Sequence, residues 1–134
     1  MKKILISVLV TLAVTIAAKA IAKNQNVFLA ESKVVSTKLE WNREIEVKHS
    51  GSIYCAIENE KGMMSVTVLA NRTYQALMNK NRKGIHREDL ILTIDSSKGY
   101  FEDRIDLPKG GSYWFIIENG TQFESEITIA CADM

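Results

Sequence analysis

Residues 44–48 read Glu-Ile-Glu-Val-Lys, and residues 104–107 read Arg-Ile-Asp-Leu. Both alternate charged and apolar side chains. A period of two places Ile45 with Val47, and Ile105 with Leu107, on one face of a strand. Two runs dense in β-branched and aromatic residues follow, SIYCAIE (52–58) and SYWFIIE (112–118), and these also read as strands. MSVTVLA (64–70) and SEITIA (125–130) alternate again, and VVSTK (34–38) and LILTI (90–94) supply a first strand to each group. Turn residues separate the runs: Ser50-Gly51, Pro108 with Lys109-Gly110-Gly111, ENEKG at 58–62 and ENGT at 118–121. Asn119-Gly120 is a strong hairpin signal because both residues tolerate positive φ. The pattern predicts eight strands in two groups of four.

The two groups resemble each other. Residues 34–70 align without a gap on 94–130, with ten of 37 positions identical, where ordinary composition would give roughly two or three. GSIYCAIENE (51–60) and GSYWFIIENG (111–120) are the clearest piece. Two Greek-key halves predict an all-β, eight-stranded antiparallel jelly-roll-like β-sandwich with a pseudo-two-fold internal repeat. The alignment leaves one discord. Val66, Val68 and Ala70 face inward in the first half, but Ile127, Ile129 and Cys131 do so in the second, which is out of phase. A one-residue slip or a β-bulge would repair it. Structurally, the repeat marks the core strand and turn of each half. Functionally, it would pair Glu58 with Glu118 as a ligand clamp.

The stretch RIDLPKGGSYWFIIENG, residues 104–120, followed by an alternating strand, resembles bacterial pre-peptidase C-terminal-like and Golgi-dynamics-type β-sandwich domains. The resemblance spans about residues 34–131. It implies the sandwich fold and a non-catalytic accessory or cargo-binding role, and it assigns no functional residue.

The N-terminal stretch changes the compartment. Lys2 and Lys3 precede an apolar run from Ile4 to Ala18, and Ala18-Lys19-Ala20 and Ala20-Ile21-Ala22 offer small-x-small cleavage sites. This is the layout of a secretory signal peptide, 1–22, ahead of a single domain, 23–134. The apolar run is shorter than the ~20 residues a bilayer-spanning helix needs, so no stable membrane insertion is expected after cleavage. The expected location is secreted or periplasmic. Cleavage removes Lys2, Lys3 and Lys19, leaving 14 basic against 16 acidic residues and a net charge of −2. Such a balance gives no overall pull toward nucleic acid or an anionic membrane. The two cysteines, in an oxidising compartment, predict a disulfide. Cys55 shares a strand face with Ile53 and Ile57, Cys131 with Ile127 and Ile129, so both point into the core.

One segment stands apart. TYQALMNKNRKGIHRED, 73–89, joins the halves. Tyr74, Leu77 and Met78 fall at i, i+3 and i+4, so one or two helical turns are expected. Lys80, Arg82, Lys83 and Arg87 crowd together before Glu88 and Asp89. They form a candidate anion-binding surface, or a solvated loop partly neutralised by the two acids. Catalytic chemistry is sparse. His49 and His86 are the only histidines, and no HExxH, GxSxG or phosphate-cradling glycine loop is present. His86 with Glu88 and Asp89 is a weak metal candidate, and Glu102-Asp103 reads as a surface turn. Asn71-Arg72-Thr73 and Asn119-Gly120-Thr121 are sequons. No catalytic residue, metal or cofactor is assigned. The sequence points to an exported, non-catalytic binding or accessory module contacting an envelope or extracellular protein or glycan, with exposed aromatics such as Trp41 as one contact surface. The alternatives are an anionic-polymer binder using 80–87, or a small exported hydrolase whose site would be a polar pocket around His49 or His86.

Overall fold

The computed structural model of the chain describes residues 26–134; the expected signal peptide lies outside the described residues. Strands β1 (Val27–Val35), β2 (Glu40–Val47), β3 (Gly51–Asn59) and β4 (Met64–Ala70) form the first half, and β5 (Leu90–Ser96), β6 (Tyr100–Leu107), β7 (Gly111–Asn119) and β8 (Ser125–Asp133) the second. Between them lie helix α1 (Asn71–Met78) and two 3-10 turns, Arg82–Gly84 and Arg87–Asp89. The strands make two four-stranded sheets in the orders β1-β8-β3-β6 and β2-β7-β4-β5, every pairing antiparallel. This is the jelly roll that the alternation predicts. Exchanging the halves, β1 for β5 and so on, turns one sheet order into the other read backwards. The repeat is therefore a property of the topology as well as of the sequence.

Alternation fills the space between the sheets. Ile53, Cys55 and Ile57 of β3 face Tyr113, Phe115 and Ile117 of β7 within one buried cluster, which also takes Val66, Val68, Ile127 and Ile129. Phe115, Ile57, Ile117, Ile127 and Ile129 are fully buried, and each such side chain contributes roughly 1.5–3 kcal/mol relative to exposure. Cys55 and Cys131 stand directly opposite each other on β3 and β8, with Cα atoms 4.1 Å apart, and are joined as a disulfide.

The phase discord has a larger cause than the sequence suggests. Asn59 lies across from Ile127, and Asn119 across from Met64. Met64 therefore corresponds to Ile127, 63 residues on, where β3 and β7 correspond at 60. Three extra residues, not one, enter the connection before β8, and an odd number flips the inward face. The first strand also differs from expectation. VVSTK was to begin the fold, but β1 runs Val27–Val35 and Ser36 to Leu39 make a turn, with Lys38 at φ 62°. Glu31, Ser32 and Lys33 interrupt the apolar alternation of β1, and its pairing is irregular between Val27 and Leu29; both features hide the strand.

The repeated Asn of each IEN turn explains why that triplet recurs. Asn59 and Asn119 are buried, and Asn59 Nδ2 donates to Asn119 Oδ1 at 3.2 Å. The two equivalent residues thus meet between the halves. Asn119 Nδ2 also donates to the Val35 and Phe123 carbonyls at 3.0 and 2.8 Å, and its Oδ1 accepts from the Thr121 amide at 3.0 Å. Asn59 Nδ2 donates to the Met63 carbonyl at 3.0 Å, and Ser125 Oγ donates to Asn59 Oδ1. A buried amide needs such partners, because leaving one unmade costs ~1–3 kcal/mol.

Candidate docking surface on the crossover

Helix α1 starts without a capping side chain and carries no acidic residue in its first turn. A helix of eight residues is too short to hold itself, so tertiary contacts decide. The Tyr74 ring stacks on Trp114 of β7, centroids 4.0 Å apart and planes 10° from parallel. Asn42 Nδ2 donates to the Tyr74 hydroxyl at 2.9 Å, and Trp114 Nε1 donates to Asn71 Oδ1 at 2.9 Å. The outward face of the repeated strand β7 thereby seats the helix. The expected apolar face splits: Thr73, Tyr74 and Ala76 are buried, while Leu77 and Met78 are exposed. The helix packs through its N-terminal turn, and its C-terminal apolar residues project.

The following residues are held by one ionic lattice. Arg72 clamps Asp89 with Nε at 2.7 Å from Oδ2 and Nη2 at 3.0 Å from Oδ1. Thr73 Oγ1 donates to Asp89 Oδ2 at 2.7 Å, and the His86 amide donates to Thr73 Oγ1 at 3.1 Å. Asp89 is buried, and the Arg72 hydrogen bonds hold its carboxyl below the usual carboxylate range against the opposing effect of burial. Arg72 Nη2 also reaches Glu88 Oε1 at 3.4 Å. At the helix end, the Asn81 amide donates to the Ala76 carbonyl at 2.8 Å and the Lys80 amide to Leu77 at 3.2 Å. Lys80 sits at φ 55°, the left-handed position that closes such a helix end and usually belongs to glycine.

This geometry changes the charge balance that the sequence suggests. Asp89 does not neutralise the basic run, because Arg72 holds it inward, and of the two acids only the exposed Glu88, which contacts Arg72 and His86, stays beside that run. Lys80, Arg82, Lys83 and Arg87 are exposed, and among the described residues none of them forms a salt bridge. Leu77, Met78, Ile85 and Leu90 are exposed in the same segment. Four cations without an ion-pair partner among the described residues, and the apolar side chains of Leu77, Met78, Ile85 and, at the start of β5, Leu90, therefore occupy the crossover and its exit.

The other sequence-derived candidates fall out differently. Glu58 and Glu118 cannot form a clamp. Each neighbours a buried Asn, so alternation turns each outward, and β3 and β7 belong to different sheets. Trp41 is no surface aromatic; it alternates inward with Ile45 and lies in the core. Asn119 is fully buried with its amide engaged, which closes that sequon in the folded chain. Asp89 is committed to Arg72 and Thr73, and among the described residues no acidic, His or Cys group is placed to hold a metal. His49 lines a cleft of about 550 Å³ with Lys48, Ser52, Asp133 and Met134. Ser52 Oγ donates to Asp106, and among the described residues no hydrogen bond links His49 to a serine or carboxylate. The sequence named His49 as one centre for a polar pocket; what it could not show is that the cleft joins the β2–β3 turn to Asp133 and Met134, which share no local pattern with it.

The sandwich and its tied crossover define a jelly-roll domain. Its fold is that of the pre-peptidase C-terminal domain of a collagenase from Bacillus anthracis, with a TM-score of 0.57 at 10% identity over 77% of this chain and 87% of that one. A mitogen derived from Yersinia pseudotuberculosis is also similar, with TM-score 0.54, 14% identity, and 82% and 87% coverage. So is the periplasmic inhibitor of g-type lysozyme from Aeromonas hydrophila, with TM-score 0.53, 13% identity, and 83% and 89% coverage. The likeness to pre-peptidase C-terminal-type domains is thus one of fold. No protein-family model and no curated protein matches the chain.

Proposed function

We propose that this chain is an exported binding module, without catalysis of its own, that docks an anionic envelope or extracellular protein or glycan on the crossover between its halves. One observation carries the reading. The ion pair of Arg72 with Asp89 removes one of the two acids from the basic cluster, leaving Lys80, Arg82, Lys83 and Arg87, four cations against the single exposed Glu88, beside Leu77, Met78, Ile85 and Leu90. Cations interleaved with apolar side chains favour an acidic partner that also offers apolar contact. Export is supported by the Cys55–Cys131 disulfide, which persists in oxidising compartments. Among the described residues no helix is long and apolar enough to cross a membrane. A periplasmic enzyme inhibitor is among the fold neighbours, so the architecture is compatible with binding in that compartment.

Chromatography on immobilised heparin tests the electrostatic part. The protein should elute at higher salt than a variant carrying Lys80→Ser, Arg82→Ser, Lys83→Ser and Arg87→Ser. The difference should vanish as the Debye length shrinks from ~10 Å at 0.1 M toward ~3 Å at 1 M. Identical elution of the two proteins would reduce the cluster to a solvated loop.

A further inference from the structure

We infer that this chain pairs with a second copy of itself through the free edge of β5, joining two β2-β7-β4-β5 sheets into one continuous sheet across a two-fold axis. The repeat gives the sandwich two lateral seams to compare. At the β1–β2 seam, Arg43 Nε donates to Glu31 Oε2 at 2.7 Å and Nη2 to Oε1 at 3.0 Å. Both residues occupy inward positions of the alternation, Arg43 between Trp41 and Ile45, Glu31 between Leu29 and Val35. Those four apolar neighbours are buried. The β5–β6 seam has no such closure. Glu31 lies across from Ile129, and Ile94 across from Val66. Arg43 lies across from Phe115, and Asp103 across from Cys55. By the repeat, Ile94 stands where Glu31 stands, and Asp103 where Arg43 stands. These two cannot pair, and Leu92, Ile94 and Phe101 pack on the core while remaining only half-buried.

Edge strands resist pairing with other chains when they carry charge, above all charge that points inward. Among the edge strands, β1 carries Glu31 and Lys33, β2 carries Arg43, Glu44 and Glu46, and β6 carries Glu102, Asp103 and Arg104. β5 is uncharged from Leu90 to Ile94. It bonds to β4 alone, and among the described residues no backbone group of 91–95 has a partner outside that ladder. Free amides and carbonyls beside half-covered apolar residues are a template for an added strand. Register and charge select a second copy as that strand. Facing residues of an antiparallel pair lie on the same side of the sheet. Two β5 strands centred on Thr93 set Leu92 opposite Ile94, so inward residues meet inward ones, and the exposed Thr93 meets its counterpart. The same register brings Glu88, exposed at the entry to β5, alongside Lys98 of the second copy. The two-fold axis makes this contact twice. Centring the pair on Leu92 or on Ile94 keeps the faces but loses the opposite charges. One sequence thus holds both halves of the match. The contact lies beside the crossover and does not depend on what the crossover binds.

Sedimentation velocity on the chain from residue 23 should show a monomer at micromolar and a dimer at millimolar concentration. Thr93→Lys sets like charges opposite each other at the two-fold axis and should stay monomeric throughout. Thr93 is exposed, so circular dichroism should show this variant folded. Glu88→Lys should raise the dimer dissociation constant at least tenfold, and Glu88→Lys combined with Lys98→Glu should restore it, because the swap rebuilds both contacts. Crosslinking reads the register. Thr93→Cys should give a disulfide-linked dimer under mild oxidation, since directly opposed residues place their Cα atoms ~4.5–5.5 Å apart. Asp95→Cys should not, because this register sets Asp95 opposite Ile91 and carries its counterpart beyond the ~7 Å that a disulfide tolerates. A wild type that remains monomeric at millimolar concentration overturns the inference and leaves the edge to an extended segment of another protein. Association of Thr93→Lys as strong as that of the wild type, or equal crosslinking of the two cysteine variants, overturns it as well.

Discussion

Asn119 ties buried polar groups of the two halves to one another. Replacing it with alanine strands the Val35 carbonyl, the Thr121 amide and one Asn59 donor, while the Phe123 carbonyl keeps its bond from Thr121 Oγ1. Each unmet buried group costs ~1–3 kcal/mol, so Asn119→Ala should lower stability by about 3 kcal/mol, read as a drop in urea midpoint. Glu126 is strained in the opposite sense. Its Oε1 is buried without a partner, and burial first, then the charge of Glu60, raises its pKa despite a lowering hydrogen bond from Ser32. A carboxyl whose folded pKa lies above its unfolded value penalises the folded state once it ionises. The penalty is absent below the unfolded pKa and grows as pH rises through that value to the folded one. Glu126→Gln should therefore raise the melting temperature at pH 7 and change it little at pH 3; an equal effect at both would show that charge is not the cause.

At the scale of elements, the strands were legible and the crossover was only half so. Ile45 with Val47 and Ile105 with Leu107 announce their faces because a period of two survives any tertiary arrangement. β1 was misplaced because Glu31 to Lys33 break that period. Helix α1 was expected, yet its apolar register misled: Trp114 and Asn42, far away in sequence, decide which side is seated. The pairing of Arg72 with Asp89 was invisible for the same reason. It joins residues 17 apart across a turn that nothing local predicts, and it decides whether the basic run is neutralised. Acid should undo it. Asp89 has a lowered pKa, so its contribution is complete above its unfolded value of ~3.9 and is lost as pH falls through the lower folded one. The helix end carries its own test. Lys80 at φ 55° holds a conformation that costs a non-glycine residue ~1 kcal/mol. Lys80→Gly should stabilise the domain by up to about 1 kcal/mol in urea denaturation; destabilisation would mean that the Lys80 side chain contributes more than the backbone relief.

For the whole molecule, the repeat, the sandwich and the cysteine pairing were readable because each rests on alternation or on chain-wide symmetry. The joining of the β2–β3 turn to Asp133 and Met134 around one cleft was not, since only the fold brings them together. The disulfide joins residues 76 apart, tying the first half to the second within one sheet. The chain-entropy model gives roughly 4 kcal/mol for such a loop, and measured values run from ~2. Cys55→Ala with Cys131→Ala should lower the urea-derived stability by about 2–4 kcal/mol while leaving heparin retention unchanged. Loss of both would show that the crossover depends on global stability rather than on its own lattice. The most direct trial of the binding role is capture from the native envelope fraction at low salt, with the protein and its Lys80→Ser, Arg82→Ser, Lys83→Ser, Arg87→Ser variant immobilised side by side. The account predicts a partner retained by the first, released as salt rises, and absent from the second. The same partner held equally by both, or no partner held by either, would contradict it.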